Sequence, residues 1–317
     1  MKIFLDGFNG DFTGYVFLGR LVSEMQKLGV TFQYVPQNAD VILYMQKNNF
    51  CNTNSSLPKA FRPIHIHMTN YGKSKQLNDA RIGLIRKSDL VIWQCEWLKN
   101  KYKILAGCEP KKNESIIYNA IDISPYKNYP EVVCQTEKMV ISLCAWAKKG
   151  INRPRKRFDE TVSVAYDYVN SHKNTTFYII GENNGTRLKH DRIKIIGKLF
   201  FDQIVPYLKR ANAMLNLSYF DNCPNSVVEA LAFGVPVVLN DETGATELIG
   251  ENGGIVVNID RKITKFQEKR EPSKIVNDKV VGALEKILFG WPKFEKPQLN
   301  INFCAKKYKE EIEKICR

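Results

Sequence analysis

Residues 213–257 read AMLNLSYFDNCPNSVVEALAFGVPVVLNDETGATELIGENGGIVV, and the fold follows from how this stretch is punctuated. Ala213–Leu217 is a short apolar run with the length of a buried strand. Tyr219–Pro224 breaks it with turn residues. Ser226 and Glu229 then have the S-x-x-E spacing of a capping box, and Val227, Val228, Leu231 and Ala232 form an apolar stripe, so the spacing predicts a short helix. Gly234 is placed to cap its C-terminus and Pro236 to stop it. Pro236–Leu239 reads as the next strand, and Asn240–Gly244 as a polar loop at its C-terminal end. Ligands of open parallel sheets bind at that end.

The same alternation runs along the whole chain. Strand patterns occupy Lys2–Asp6, Thr31–Val35, Val41–Met45, Pro63–Met68, Asp89–Gln94 and Ser115–Tyr118, with helical periods such as Tyr15–Leu28 between them. Residues 128–138 are polar and aperiodic and read as a linker. A second series follows: Met139–Ala145, a helix over Phe158–Val169, strands at Thr176–Ile180 and Ile193–Ile196, and a helix over Asp202–Ala211. Alternation of this kind predicts parallel sheets with helices on both faces. Asn302–Ile315 has the period of an amphipathic helix.

Asp221-x7-Glu229, EALAFGVPVV and the Thr243-Gly244 loop together resemble the donor-site signature of GT-B glycosyltransferases of the GT4 type. The family usually has Glu at the first place and Gly-Gly in the loop, where this chain has Asp221 and Thr243. The resemblance implies an α/β protein of GT-B fold, two Rossmann-like domains whose parallel sheets face an interdomain cleft. The expected boundaries are 1–127 for an acceptor-side domain, 128–138 for the linker, 139–299 for a nucleotide-sugar domain, and 300–317 for a helix crossing back to the first domain. It implies a retaining sugar transfer from a nucleotide sugar, hexosyl or pentosyl, to an acceptor hydroxyl, in which the donor phosphate takes the acceptor's proton. No metal is expected, because no D-x-D stands at a strand end and cations with a helix N-terminus would replace it; the nucleotide-diphosphate sugar is a co-substrate and no cofactor is required.

The resemblance also assigns residues. Asp221 would accept sugar hydroxyls and Glu229 would hold ribose hydroxyls, while Asn225, Ser226 and Val227 would turn the helix N-terminus on the diphosphate. Thr243 and Gly244 supply the second loop. A basic run, KKGINRPRKR, has six basic residues and no acid between Lys148 and Arg157. Fixed cations favour a departing diphosphate. Lys156-Arg157-Phe158-Asp159 fits the family's Lys-Gly element with Arg157 in place of glycine, so Lys156 is the expected cation, with Arg153 or Arg155 as the second. Gly14, in a loop with Gly7 and Gly10, would approach the diphosphate or the sugar. His67 is expected at the donor sugar and His65 is structural, because alternation along a strand would point them to opposite faces. Asn119 and Asp122 order the turn that closes the first domain.

Composition narrows the partners without naming one. A hydrophobic content of 44% with 25% charged residues over 317 residues allows two folded domains. No apolar run nears the ~20 residues of a membrane span, MKIFLDGF reads as a strand rather than a leader, and the eight cysteines lack metal or disulfide spacing. Free thiols of this kind suggest a reducing, cytoplasmic setting, with a peripheral place at a membrane surface also open. The net charge of +14 is spread over the chain: Met1–Asp122 carries 16 lysines and arginines against 10 acids. Such a field favours anionic partners. A saccharide or lipid-linked glycan at a membrane surface, a hydroxylated base in DNA, and a catalytically inactive binding module all stay open. Lys99, Lys101, Lys103, Lys111 and Lys112 form a second basic cluster, expected to meet an anionic acceptor.

Overall fold

The computed structural model describes residues 1–6, 16–45, 56–110, 112–148, 151–183, 185, 188–259, 261–268 and 276–317. Gly14, with Gly7 and Gly10, lies outside the described residues, as do Lys111 and Lys149. The chain divides into two compact units. One comprises Met1–Asp122, Ile263–Lys269 and Pro297–Arg317, and the other Ile123–Lys262 and Arg270–Lys296.

The first unit opens with β1 (Lys2–Asp6), α1 (Val16–Lys27), β2 (Thr31–Gln33), β3 (Val41–Tyr44) and β4 (Lys59–Phe61). It continues with α2 (Gly72–Lys87), β5 (Leu90–Trp93), α3 (Glu96–Ala106) and β6 (Asn113–Ile116). Its strands form one six-stranded sheet in the order β2-β1-β3-β4-β5-β6, with every pairing parallel. β3 and β5 are buried along their whole length, as strands covered on both faces must be.

The second unit repeats the plan. After β7 (Lys138–Leu143), a small antiparallel hairpin of β8 (Ala147–Lys148) and β9 (Ile151–Asn152) precedes α4 (Phe158–Ser171). Then come β10 (Thr175–Ile180), β11 (Ile193–Ile196), α5 (Phe201–Arg210), β12 (Ala213–Asn216), α6 (Asn225–Ala232), β13 (Val237–Asn240), α7 (Thr246–Ile249), β14 (Gly254–Val257) and α8 (Asn277–Phe289). The sheet order is β11-β10-β7-β12-β13-β14, again all parallel. The strand-order reversal at β7 puts the switch point, where parallel sheets open a crevice, between β7 and β12.

The chain closes with α9 (Ile301–Cys316), which belongs to the first unit. Its Tyr308 and Ile312, both with no exposure, join a core with Ile3, Leu21, Met25 and Ile92. Asn302 Nδ2 donates to Glu24 Oε1 on α1 at 2.9 Å.

Residues 128–138, read as the linker, fall within the second unit, where Val132 N donates to Pro206 O (3.1 Å) and Lys209 Nζ donates to Tyr129 O (2.5 Å). Two further readings differ from the structure. Residues 263–269, expected in the second domain, fold with the first: Gln267 N donates to Met68 O (2.8 Å) and buried Lys101 donates to Ile263 O (2.8 Å). Pro63–Met68 is not a ladder strand. Pro63 has no N–H to give, and side chains satisfy the carbonyls instead: Gln94 Nε2 donates to Pro63 O and Ile64 O, both at 3.3 Å, and Tyr102 Oη donates to His65 O at 2.9 Å.

Candidate functional site

Two asparagines build the loops at the switch point. Asn216 ends β12, and its Oδ1 accepts from Ser218 N at 3.1 Å; Asn240 ends β13, and its Oδ1 accepts from Glu242 N at 2.9 Å. Each is the same device, a side-chain carbonyl bonding the amide two residues on, which bends the chain away from the strand. Asn240 Nδ2 donates to Ser218 O at 2.7 Å, so the second loop is tied to the first. Farther along, the backbone carbonyl of Asp221 accepts from Gly244 N (2.8 Å) and from Thr243 Oγ1 (2.6 Å). Thr243 and Gly244 therefore fasten the loop that carries Asp221.

A cavity of about 470 Å³ opens at the C-terminal ends of β7, β10, β11 and β12. Asp221, Asn225, Ser226 and Glu229 line it from the β12–α6 side, Lys156 from the loop before α4, and Glu182 and Lys198 from beyond β10 and β11. Lys156 Nζ pairs with Asp221 Oδ2, with side chains only 10% and 20% exposed. The next residue, Arg157, takes a left-handed backbone conformation (φ 57°) at the start of α4. A left-handed residue is usually glycine, which accounts for the glycine that the resemblance expects here. Arg157 is fully buried, with its guanidinium 5.4 Å from the centre of the Tyr219 ring.

α6 departs from the expected capping box. Pro224 occupies the N-cap without a side-chain bond, and Ser226 lies inside the helix, where its Oγ accepts from Asn216 Nδ2 at 3.4 Å. Glu229, 7% exposed, lies in the middle of the helix and lines the cavity. Gly234 follows the helix with φ +74°, the left-handed stop that its position predicts.

Other expected residues lie elsewhere. Val227 is buried core, and Thr243 is buried against Asp221; neither they nor Gly244 line the cavity. Arg153 and Arg155 do not line it either: the Arg153 amide donates to Trp146 O at 2.9 Å, and Arg155 Nη1 reaches Phe220 O at 3.4 Å. Lys198, which sequence reading passed over, is a second lysine on the wall and has no ion pair among the described residues. Only its position just after a strand's Gly197 could have flagged it.

His65 and His67 sit in the first unit with their rings edge to face, centroids 4.6 Å apart, rather than on opposite faces. The alternation rule fails because this stretch is not pleated into a sheet. His67 is held by Asn78 of α2, whose Oδ1 accepts from His67 N (2.9 Å) and whose Nδ2 donates to His67 O (3.2 Å). Asn119 Oδ1 accepts from Arg62 Nη2. The cluster around Lys99–Lys112 is largely neutralised. Lys99 pairs with Glu114 (2.7 Å), Lys103 with Glu109 (2.8 Å) and Lys112 with Asp89, while Lys101 is buried.

Among the described residues, no group of three or more His, Cys, Asp or Glu side chains could hold a metal ion, and no helix is long and apolar enough to cross a membrane. The described cysteines are all free.

Comparison with known proteins adds to this geometry. The sequence model of the family described as Glycosyl transferases group 1 matches residues 148–269. No curated protein matches the chain in sequence. Among solved structures, a glycosyltransferase from Rickettsia africae superposes with TM-score 0.68 at 13% identity, over 100% of this chain and 98% of that one. The sucrose-phosphate synthase of Thermosynechococcus elongatus gives 0.65 at 12%, over 100% and 95%. HepE of Anabaena, solved in complex with UDP-glucose, gives 0.58 at 14%, over 99% of each chain. The fold is therefore that of the GT-B glycosyltransferases.

Proposed function

We propose that this GT-B chain, whose residues 148–269 match the group 1 glycosyl transferases, transfers a sugar from a nucleotide sugar to an acceptor hydroxyl with retention of anomeric configuration. The observation that carries the reading is the cavity at the switch point, where Lys156, Asp221, Glu229 and the N-terminus of α6 share one wall. The order of strands lays out the donor. From β12 to β11 the sheet runs three strand spacings, about 14 Å at ~4.8 Å each. A nucleoside diphosphate sugar fits a crevice of this width, with its sugar at Asp221, its diphosphate between Lys156 and Lys198, and its ribose at Glu229.

Each residue then has a chemical task. Asn225 and Ser226 present the positive end of α6 to the diphosphate. Lys156 neutralises the phosphate charge that grows as the glycosidic bond breaks, and donor binding shares this cation between Asp221 and phosphate. Asp221 accepts sugar hydroxyls, Glu229 accepts those of the ribose, and Lys198 takes the part of second cation that Arg153 and Arg155 do not reach. Asp221 is one methylene shorter than the glutamate usual in the resemblance, so it holds a sugar deeper on the sheet.

A panel of nucleotide sugars, incubated with the protein and mixed simple glycan acceptors, tests this reading. The expected result is release of nucleoside diphosphate from at least one donor, with a product of unchanged anomeric configuration by proton NMR. An inverted product overturns the retaining assignment. No consumption of any donor, from a protein that binds none of them, overturns the enzyme reading.

A further inference from the structure

A second cavity, of about 710 Å³, lies in the same unit at the other end of the sheet, where β7 and β10 begin. It is within the size range of small-molecule sites and has no residue in common with the donor cavity. The sheet fixes its floor. Lys138 N donates to Asn174 O at 2.9 Å, and Thr175, 3% exposed, pairs with Lys138 in the ladder. Tyr168 of α4 and Leu288 of α8, both buried, supply apolar wall. Burial is the main cause that pushes the Tyr168 hydroxyl up to about 12, so that wall stays neutral. Phe289, the last residue of α8, stands at the same cavity with 97% of its surface exposed. A bare phenylalanine alone is ordinary, but one at the mouth of a cavity carries the apolar wall outward into solvent.

The charges at the mouth are unbalanced. Glu285 Oε1 lies 3.3 Å from His172 Nε2, and Glu137 Oε1 lies 3.5 Å from Lys138 Nζ, so both acids of the lining already have a partner. Lys173 and Lys286, both exposed, have no ion pair among the described residues. The Tyr168 ring is stacked on His172, with centroids 4.2 Å apart and planes at 17°, and Phe177 packs against it at 5.8 Å. With that ring engaged, the wall offers contour to an aliphatic chain rather than a slot for a planar ring.

We propose that this cavity binds a free single-chain amphiphile, an alkyl chain ending in a carboxylate or phosphate, with the chain against Tyr168, Leu288 and Phe289 and the acidic head at Lys173 and Lys286. The proposal does not depend on the donor reading, since the two cavities share no residue.

The test is calorimetric titration into the full-length protein of dodecanoate, and of dodecyltrimethylammonium as its cationic match, both below their micelle concentrations. Dodecanoate fills one saturable site per chain, and the cation binds at least about tenfold more weakly. Reversing the rim, Lys173→Glu with Lys286→Glu, weakens dodecanoate at least about tenfold. The same change of charge on α2, Lys73→Glu with Lys87→Glu, leaves it unaltered. Phe289→Ser weakens both amphiphiles at least about threefold at an unchanged melting temperature, because the ring has almost no burial to lose.

Equal binding of the two amphiphiles overturns the proposal, as does an α2 reversal that costs as much as the rim reversal, since net charge alone then attracts the anion. Phe289→Ser protein that binds as before also overturns it, as do displacement by a nucleoside diphosphate and the lack of a saturable site. Binding to phosphatidylglycerol vesicles with none to free dodecanoate overturns it too, because the surface then meets a membrane and not a free chain.

Discussion

Lys156 and Asp221 form a pair inside a cavity wall, and the two changes that break it have different consequences. Lys156→Ala leaves a mostly buried carboxylate without its cation, and is expected to cost about 1.5–3 kcal/mol of stability, read by denaturant unfolding. It should also lower turnover at least tenfold (~1.4 kcal/mol in the barrier). Combining it with Asp221→Asn should recover stability, since no charge is then stranded, without recovering turnover. Recovery of both would make the pair structural only. Lys198→Ala should leave unfolding unchanged and weaken nucleotide binding more at low salt than at high, because this lysine is an exposed cation of the cavity wall with no ion pair among the described residues. These residues differed in legibility. Lys156 was readable from its register before Phe158-Asp159. The role of Arg157 was not, because a left-handed arginine follows from buried packing on Tyr219 and not from local propensity.

Elements were legible where a period of two or 3.6 survives burial. Lys2–Asp6 and Ile193–Ile196 have the bounds that their apolar runs predict. The start of α6 was not, because the S-x-x-E spacing competes with Pro224, which takes the cap position and moves Ser226 into the helix. Ser226→Ala should therefore cost less than the ~1 kcal/mol typical of a lost N-cap; a larger loss would restore the capping reading. Likewise, Pro63–Met68 looks like a strand by composition, but its carbonyls are satisfied by Gln94 and Tyr102 from outside the ladder. The paired asparagines at the ends of β12 and β13 did leave a signal, an Asn closing each apolar run. Asn240→Ala removes bonds to Ser218 O and Glu242 N at a fully buried position. It should destabilise by about 1–3 kcal/mol and weaken nucleotide binding together, because the loop it ties carries the Asp221 partner Thr243.

Across the whole molecule the chain leaves and re-enters its first unit, supplying Ile263–Lys269 and the terminal helix α9 to a sheet built from residues before Asp122. Sequence periodicity showed that α9 is amphipathic but not that residues 263–269 belong to the first unit, because the bonds that Gln267 N gives to Met68 O and Lys101 Nζ gives to Ile263 O have no local pattern. Glu24 is held below the usual glutamate value, chiefly by the hydrogen bond from Asn302 of α9, with Lys27 beside it. A depressed carboxylate contributes stability above its unfolded pKa and loses it as pH falls through the folded value. Asn302→Ala should accordingly flatten the acid limb of the stability profile, and an unchanged limb would remove α9 from that account. The central claim, that the β7–β12 cavity holds the diphosphate of a sugar donor, is tested most directly by calorimetric titration of nucleoside diphosphates into the unmodified protein and into Glu229→Gln. The account predicts one site per chain, and affinity at least tenfold weaker in the variant (~1.4 kcal/mol) at an unchanged melting temperature. Equal affinity in both proteins, or no binding to either, would contradict it.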